Sequence, residues 1–452
     1  MTGFQRVDDE LARRIVDYAL ARIHLDPPPL DRPRTAVELA ADVAAMVGEV
    51  ITPDGIGGAT ALQLFTDVLA PAVMSTDHPG FLAFVPAAPT DEAVLFDLVV
   101  GATSMYAGSW LEGAGVVFAE NQALRWLADL AGFPPGAGGV FVSGGSAGNL
   151  SALVAARHHW RTRHGEQGRA VVAVSDEAHS SVHAALRVMD ADALTAPLDE
   201  HGRLTADALA AALDSTDTSR LVAVVATAGT TNAGVIDDLP GIGALCNERG
   251  LWLHVDGAYG LAALASPSAR ARFAGIERAD SFVVDPHKWL FAPYDCAALL
   301  YRDPEPARMA HTQTAAYLDP ITARREWNPS DYAFHLTRRA RGLPFWYSLA
   351  ANGTNAYARA IDTTLELART AARLIDDAPH LELLLEPELS VVLFRRDGWT
   401  LSDYQAWSDQ LLAAGTAFVV PSSWQGEPCL RLCFVNPATT PELVKGILAT
   451  LA

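Results

Sequence analysis

Five short runs, at residues 171–174, 221–226, 251–255, 281–284 and 297–301, constrain this chain more than any other feature. Each is too short for a helix and predominantly apolar on both faces, so neither face can be left in water. Strands of a parallel sheet covered by helices on both sides meet that requirement. Helical periodicity at residues 206–213 and 242–248 falls between the runs, which gives a β-α-β order with right-handed crossovers expected. Ligands of such sheets gather at the carboxyl ends of the strands, where Ser175, Thr230, Asp256 and Asp285 stand.

At 452 residues the chain exceeds what one core supports. The pattern predicts an N-terminal arm over 1–85, a large α/β domain over 86–345 and a small α+β domain over 346–452. In the arm, Leu11, Ile15, Tyr18, Ala19 and Ile23 recur at helical spacing before the stop at Pro27, Pro28 and Pro29. So short a helix is poorly stable alone and is expected to pack on the body or on a partner subunit. Past residue 345 a long helix over 352–375 leads to apolar runs at 388–395, 417–420 and 429–435. Helices at 401–414 and from Pro441 onward alternate with them.

A formal charge of -20 excludes a broad basic surface for nucleic acid or anionic lipid. A phosphate-bearing ligand must then be held by local geometry. Cys246, Cys296, Cys429 and Cys433 include no Cys-x-x-Cys pair, so neither a disulfide framework nor a metal site is expected. The first ten residues lack the apolar core of a signal peptide, and no uncharged apolar stretch reaches membrane-spanning length. The expected location is cytoplasmic.

Two residues at strand ends suggest the chemistry. Lys288 follows the run at 281–284 beside His287, and Asp256 closes the run at 251–255. An aldehyde cofactor needs an amine to hold it as a Schiff base and a carboxylate to keep its ring nitrogen protonated, and pyridoxal phosphate fits both. Taken singly, Lys288 reads better as a snorkelling surface lysine and Asp256 as a helix cap; together with the features that follow, the cofactor reading prevails. The glycine-rich turn over 138–149, with Gly144, Gly145 and Ser146, leads from an apolar run into a helix. It suits a phosphate or an ordinary tight turn. It lacks the lysine of a P-loop. His179 stands past another strand, placed to stack on a flat ring or to cap a turn, and Thr230 lies in a similar loop.

Taken in order, Gly-Gly-Ser-Ala-Gly-Asn, Asp-Glu-Ala-His-Ser-Ser, Ala-Gly-Thr-Thr, His-Val-Asp-Gly-Ala-Tyr and Asp-Pro-His-Lys-Trp resemble the motifs of the group II pyridoxal-phosphate-dependent amino acid decarboxylases. That group includes the aromatic-L-amino-acid, histidine and glutamate decarboxylases. The resemblance runs from about His78 to Trp346. It implies the fold-type I, aminotransferase-like architecture and a homodimer with active sites at the subunit interface. By motif, Lys288 would bind the cofactor covalently, Asp256 would pair with its ring nitrogen and His179 would stack on the ring. Gly144, Gly145, Ser146 and His287 would surround the phosphate, and Thr230, His254 and Ala258 would line the ring. Tyr317 falls where these enzymes keep a mobile-loop tyrosine that returns a proton to Cα. Relatives that oxidise the amine to an aldehyde lack it, so decarboxylation is the expected reaction, and aldehyde synthesis or another pyridoxal-phosphate-dependent lyase reaction is the alternative.

The chain also departs from the pattern. Asp285 replaces the asparagine usual before Pro-His-Lys, which leaves the phosphate contact there open. Ala87 stands where aromatic decarboxylases have a threonine, and residues 109–115 differ from the usual Ser-Pro pattern. The pocket candidates Phe84, Val85, Pro86, Tyr106 and Trp110 are apolar or aromatic and include no arginine for an acidic side chain. An aromatic or branched apolar amino acid is the expected substrate.

Overall fold

The computed structural model describes residues 7–165, 168–322 and 326–452. Its centre is a sheet of β1 (Gly138–Val142), β2 (Val171–Ser175), β3 (Asp192–Ala196), β4 (Leu221–Thr227), β5 (Trp252–Asp256), β6 (Ser281–Val284) and β7 (Ala297–Tyr301). The strand order is β1-β7-β6-β5-β4-β2-β3. Every residue of β2, β4, β5, β6 and β7 is buried, as their apolar sequences require.

Among the described residues, five α-helices precede this sheet: α1 (Asp9–Ile23), α2 (Ala36–Val47), α3 (Gly58–Leu64), α4 (Asp91–Thr103) and α5 (Trp110–Leu130). Between successive strands from β1 to β5 run α6 (Gly145–His164), α7 (Ser180–Val188), α8 (Ala206–Asp214) and α9 (Leu239–Arg249). The β2–β3, β2–β4, β4–β5 and β5–β6 pairs are parallel.

Two features of this sheet depart from expectation. The run at 297–301 forms a strand, but β7 lies antiparallel to both β6 and β1. Residues 285–296 join β6 to β7, and their helix α10 (Pro286–Trp289) is a single turn; with no longer helix to lie across the sheet face, the strand returns beside its neighbour. The edge strand β3 escaped the apolar criterion because its first four residues alternate between partly buried and exposed positions.

After β7 come α11 (Glu305–His311), α12 (Asp319–Thr322), α13 (Leu343–Asn352) and α14 (Thr354–Asp376). A second, antiparallel sheet follows, built from β8 (Leu381–Leu383), β9 (Val391–Arg396), β10 (Pro421–Trp424) and β11 (Glu427–Cys433) in the order β10-β11-β9-β8. With α15 (Leu401–Ala413) and α16 (Pro441–Ala449) it shares a core that includes Leu367, Ile375, Phe394, Trp407, Leu432 and Ile447. The run at 417–420 is not one of its strands. Phe418 instead bridges Phe81 in parallel, donating its N–H to Gly80 and accepting from Leu82, so regular pairing begins only at Pro421.

Two contacts fix the elements that carry the site. A Cβ on Gly148 would lie 2.8 Å from Val283 Cγ2, so glycine lets α6 settle onto β6. Arg338 and Glu120, both buried, pair at 2.7 and 3.0 Å, and Arg338 also donates to the Ala107 carbonyl at 2.7 Å. Removing one member of such a pair strands the other charge, at a cost of about 3–5 kcal/mol. Glu120→Ala is therefore expected to lower unfolding stability by that order in urea titration; an unchanged midpoint would show that the pair carries no weight.

Candidate active site

At the end of β6 the chain turns sharply. Pro286 opens α10 with a preset helical φ, and the single turn brings the Lys288 amine to 3.2 Å from Asp285 Oδ2. Burial works to lower the Lys288 pKa, but the Asp285 and Asp256 carboxylates outweigh it and hold the ammonium above its ordinary value. Asp285 is 2% exposed. Its Oδ2 also accepts the Gly145 N–H at 3.2 Å, whereas Oδ1 has no hydrogen-bond partner among the described residues.

Gly145 begins α6, whose N-terminus has no side-chain cap. A Cβ on Gly145 would sit 3.1 Å from Ala258 Cβ and 3.3 and 3.4 Å from the two Asp285 oxygens, so the turn is a tight cradle. Ser146 is exposed beside it, and a Cβ on Gly144 would lie 4.0 Å from His287 Cε1. His287 Nδ1 accepts the Cys296 N–H at 3.0 Å, which leaves the proton of the neutral ring on Nε2, 3.6 Å from Asp285 Oδ2. Burial pushes the His287 pKa down, against the pull of Asp285.

Asp256, at the end of the neighbouring strand β5, is buried and accepts from the Ala258 N–H at 3.1 Å and from Asn149 Nδ2 at 2.8 Å. Asn149 Oδ1 in turn meets His254 Nε2 at 2.9 Å, and His254 Nδ1 meets Ser281 Oγ at 2.8 Å. Ser281 Oγ accepts from Trp252 Nε1 at 2.9 Å. Indole N–H only donates and a carboxylate only accepts, so every proton in the chain points one way: Trp252 to Ser281 to His254 to Asn149 to Asp256. Burial lowers the His254 pKa to about 4, against the opposing effect of Asp256, and keeps the ring neutral with its proton on Nε2.

Asn149 Nδ2 also donates to Ser181 Oγ at 3.0 Å, and that hydroxyl stands 2.8 Å from His179 Nδ1. His179 caps α7, takes the Ser181 N–H at 3.2 Å and keeps an exposed ring. Asn149 thus ties His179 and His254 to the same carboxylate. The sequence reading quoted Asn149 within its motif but gave it no role; its position one helical turn after Gly145 was the available signal. His254 is fully buried and acts on the site through Asn149 rather than as an open wall. Thr230 is buried as well, its hydroxyl accepting the Val235 N–H at 3.1 Å within its own turn.

The pocket candidates separate into two groups. Phe84, with φ of 53° and a ring 6.0 Å from that of Phe418, is exposed, while Val85 and Pro86 are buried. Burial raises the Tyr294 pKa, against the opposing effects of Lys288 and of the backbone of the next residue, Ala87, and the Tyr294 ring lies 5.0 Å from that of His287. Tyr294, unassigned from sequence, thereby joins the 84–87 segment to Lys288. Tyr106 donates its phenol proton to the Leu336 carbonyl at 3.0 Å, and the Trp110 N–H meets Asn328 Oδ1 at 3.0 Å. Tyr317 is 73% exposed on the turn Ala316–Leu318 and close enough to Tyr106 to raise its pKa, after the larger effects of burial and Glu112. Among the described residues, no hydrogen bond or ring contact joins Tyr106, Trp110 or Tyr317 to Lys288.

The His254 shift has a measurable result. Its folded pKa lies below the ordinary value near 6.5, so on acidification the unfolded chain takes up a proton that the folded ring refuses. Stability present above pH 6.5 is then lost toward pH 4, on the order of 3 kcal/mol. NMR titration of the His254 ring in cofactor-free protein is expected to show no protonation between pH 7.5 and 5; a midpoint near 6.5 would contradict the proton directions given above.

These groups fit an aldehyde cofactor with a phosphate tail and a ring nitrogen: an amine, a helix N-terminus whose cradle a single methyl would fill, and a buried carboxylate. The sequence model of the pyridoxal-dependent decarboxylase conserved domain matches residues 59–397. An aromatic-L-amino-acid decarboxylase of Bacillus atrophaeus is 34% identical, with 82% of this chain and 80% of that protein covered. An L-2,4-diaminobutyrate decarboxylase of Acinetobacter baumannii is 30% identical over 88% of this chain and 84% of that protein. In fold, the Oryza sativa TDC crystallised with PLP and tryptamine superposes with a TM-score of 0.89 at 22% identity, over 98% of this chain and 96% of that one. The chain belongs to the pyridoxal-dependent decarboxylase family, as a pyridoxal-phosphate-dependent amino acid decarboxylase of fold type I.

Proposed function

We propose that this enzyme converts an aromatic or branched apolar L-amino acid to its amine and carbon dioxide, in a site completed by a second copy of the chain. The observation that carries the substrate reading is the segment of Phe84, Val85, Pro86 and Ala87, which approaches Tyr294 through Ala87 and contains no ionisable side chain. A side-chain carboxylate placed against it would find no fixed cation.

When bound, pyridoxal phosphate supplies the electron-poor ring that accepts the electron pair left as the Cα–carboxylate bond breaks. The Lys288 amine holds the aldehyde end. The amide groups at the head of α6, with Gly144, Gly145, Ser146 and His287 around them, receive the phosphate, beside Asp285. Asp256 holds the proton on the ring nitrogen, its carboxylate aimed by Asn149, while Ala258 and Thr230 bound the same space. His179, fixed through Nδ1, offers its ring as a stacking face. Tyr317 returns a proton to Cα, as a phenol can.

Support for the second copy comes from surfaces the single chain leaves bare. Helices α1 and α2 bury no residue, and Ile15, Val37, Leu98, Val99, Leu111 and Phe118 are exposed across α1, α2, α4 and α5. Apolar exposure on this scale marks a protein interface. The separation of Tyr106, Trp110 and Tyr317 from Lys288 has the same explanation, because a partner's copy of that group can face the amine across the interface. Four buried free thiols suit a reducing compartment such as the cytoplasm, and no described helix is long and apolar enough to cross a membrane.

Carbon dioxide release should be fastest with tryptophan, tyrosine, phenylalanine, leucine or valine and at least tenfold slower with glutamate and 2,4-diaminobutyrate. Turnover of glutamate or diaminobutyrate above all five would overturn the substrate reading. Tyr317→Phe is expected to reduce amine formation about 10²–10⁴-fold, the usual weight of a general acid. Aldehyde and hydrogen peroxide as main products of the unmodified enzyme would instead assign it to the amine-oxidising reaction. Borohydride treatment followed by mass spectrometry should place the pyridoxyl group on Lys288 and leave Lys288→Ala unlabelled.

A further inference from the structure

We propose that Asp285 couples cofactor binding to proton uptake: a phosphate monoester enters the turn at the head of α6 together with one proton, which it shares with the unpartnered oxygen of Asp285. The inference rests on the reading of that turn as the phosphate cradle. An asparagine here would offer an N–H to the phosphate. The carboxylate offers only lone pairs, and so does a phosphate dianion, so the two can be hydrogen-bonded only through an added proton. Oδ1 is the atom that lacks a donor: it is buried, faces the position of a Gly145 Cβ at 3.4 Å and receives nothing from the described residues. The Gly145 N–H and the Lys288 amine are both spent on Oδ2. A shared O–H···O⁻ bond is of the short, charge-assisted kind, which suits a buried acceptor without a partner.

Other groups facing Asp285 keep one charge state across neutral pH. From α10, His287 is pushed down by burial and stays neutral, while Lys288 stays cationic. From the turn before β7, burial raises the Tyr294 phenol and the Cys296 thiol, which keep their protons. Asp256, across Lys288 at the end of β5, is occupied by Asn149 and Ala258. From α6 comes backbone N–H alone. The second pKa of a phosphate monoester is about 6, so above that value the shared proton must come from solution, and affinity falls about tenfold per pH unit. Below it the ligand already carries the proton and the dependence levels off.

The test uses full-length enzyme stripped of cofactor and pyridoxine 5'-phosphate, whose alcohol cannot condense with Lys288. Calorimetric titration from pH 6 to 9, repeated in buffers of different ionisation enthalpy, reads both affinity and protons taken up. The unmodified protein is expected to take up about one proton near pH 8 and to lose affinity tenfold per unit above about 6.5. Asp285→Asn should take up none, vary less than threefold over the range and bind more tightly at pH 8.5; Asp285→Ser serves the same comparison should the Asn variant fail to fold. Equal slopes in the unmodified protein and the variant, or no proton uptake by the unmodified protein, overturn the coupling alone. No binding by any of these proteins at any pH overturns the phosphate cradle itself and the coupling with it.

Discussion

A single amide, that of Asn149, sets the direction of the whole site. Its nitrogen feeds Asp256 and Ser181 and its oxygen takes the His254 proton, so one side chain orients a carboxylate and, through Ser181, a second histidine. The arrangement holds only because α6 lies close to the sheet. Gly148, the residue before Asn149, allows that approach by presenting no Cβ to Val283. Packing and proton direction are therefore one constraint: a helix held further off would leave Asp256 short of its donor and His254 without an acceptor, each buried at a cost of about 1–3 kcal/mol.

Much of the large sheet was legible in the sequence, for a physical reason. Strands buried on both faces have no freedom to be polar, and the runs that became β2, β4, β5, β6 and β7 showed it. Strand direction is not encoded in that way, since it depends on whether the connection crosses the sheet face or turns back; β7 was misplaced on that account. β3 was missed because an edge strand with exposed positions lacks the continuous apolar signal. The run at 417–420 was apolar for a different reason: Phe418 packs against Phe81 from the N-terminal segment.

In the candidate site, the proximity of Asp256 and Lys288 was legible because Asp256 ends β5 and Lys288 follows β6 by a single helical turn, and these strands are parallel and adjacent. Asn149 was not, because an asparagine after glycine and serine reads as turn chemistry until the helix is seen to face the sheet. Tyr294 lies in irregular chain and carries no periodic signal. In the proposed dimer, the positions of Tyr106, Trp110 and Tyr317 relative to the amine would be set by the interface, which no pattern within one chain encodes.

The bridge between Phe81 and Phe418 bears on how the pocket can move. The backbone leading into Phe84 is stitched by Gly80 and Leu82 to Phe418, and by Leu82 to Cys433 at the end of β11. The segment proposed as one wall of the pocket is thus tied to the C-terminal sheet, while the Lys288 amine is carried by the large one. In the proposed site, a small rotation between the two sheets would change the gap across the substrate without breaking either sheet's own hydrogen bonds.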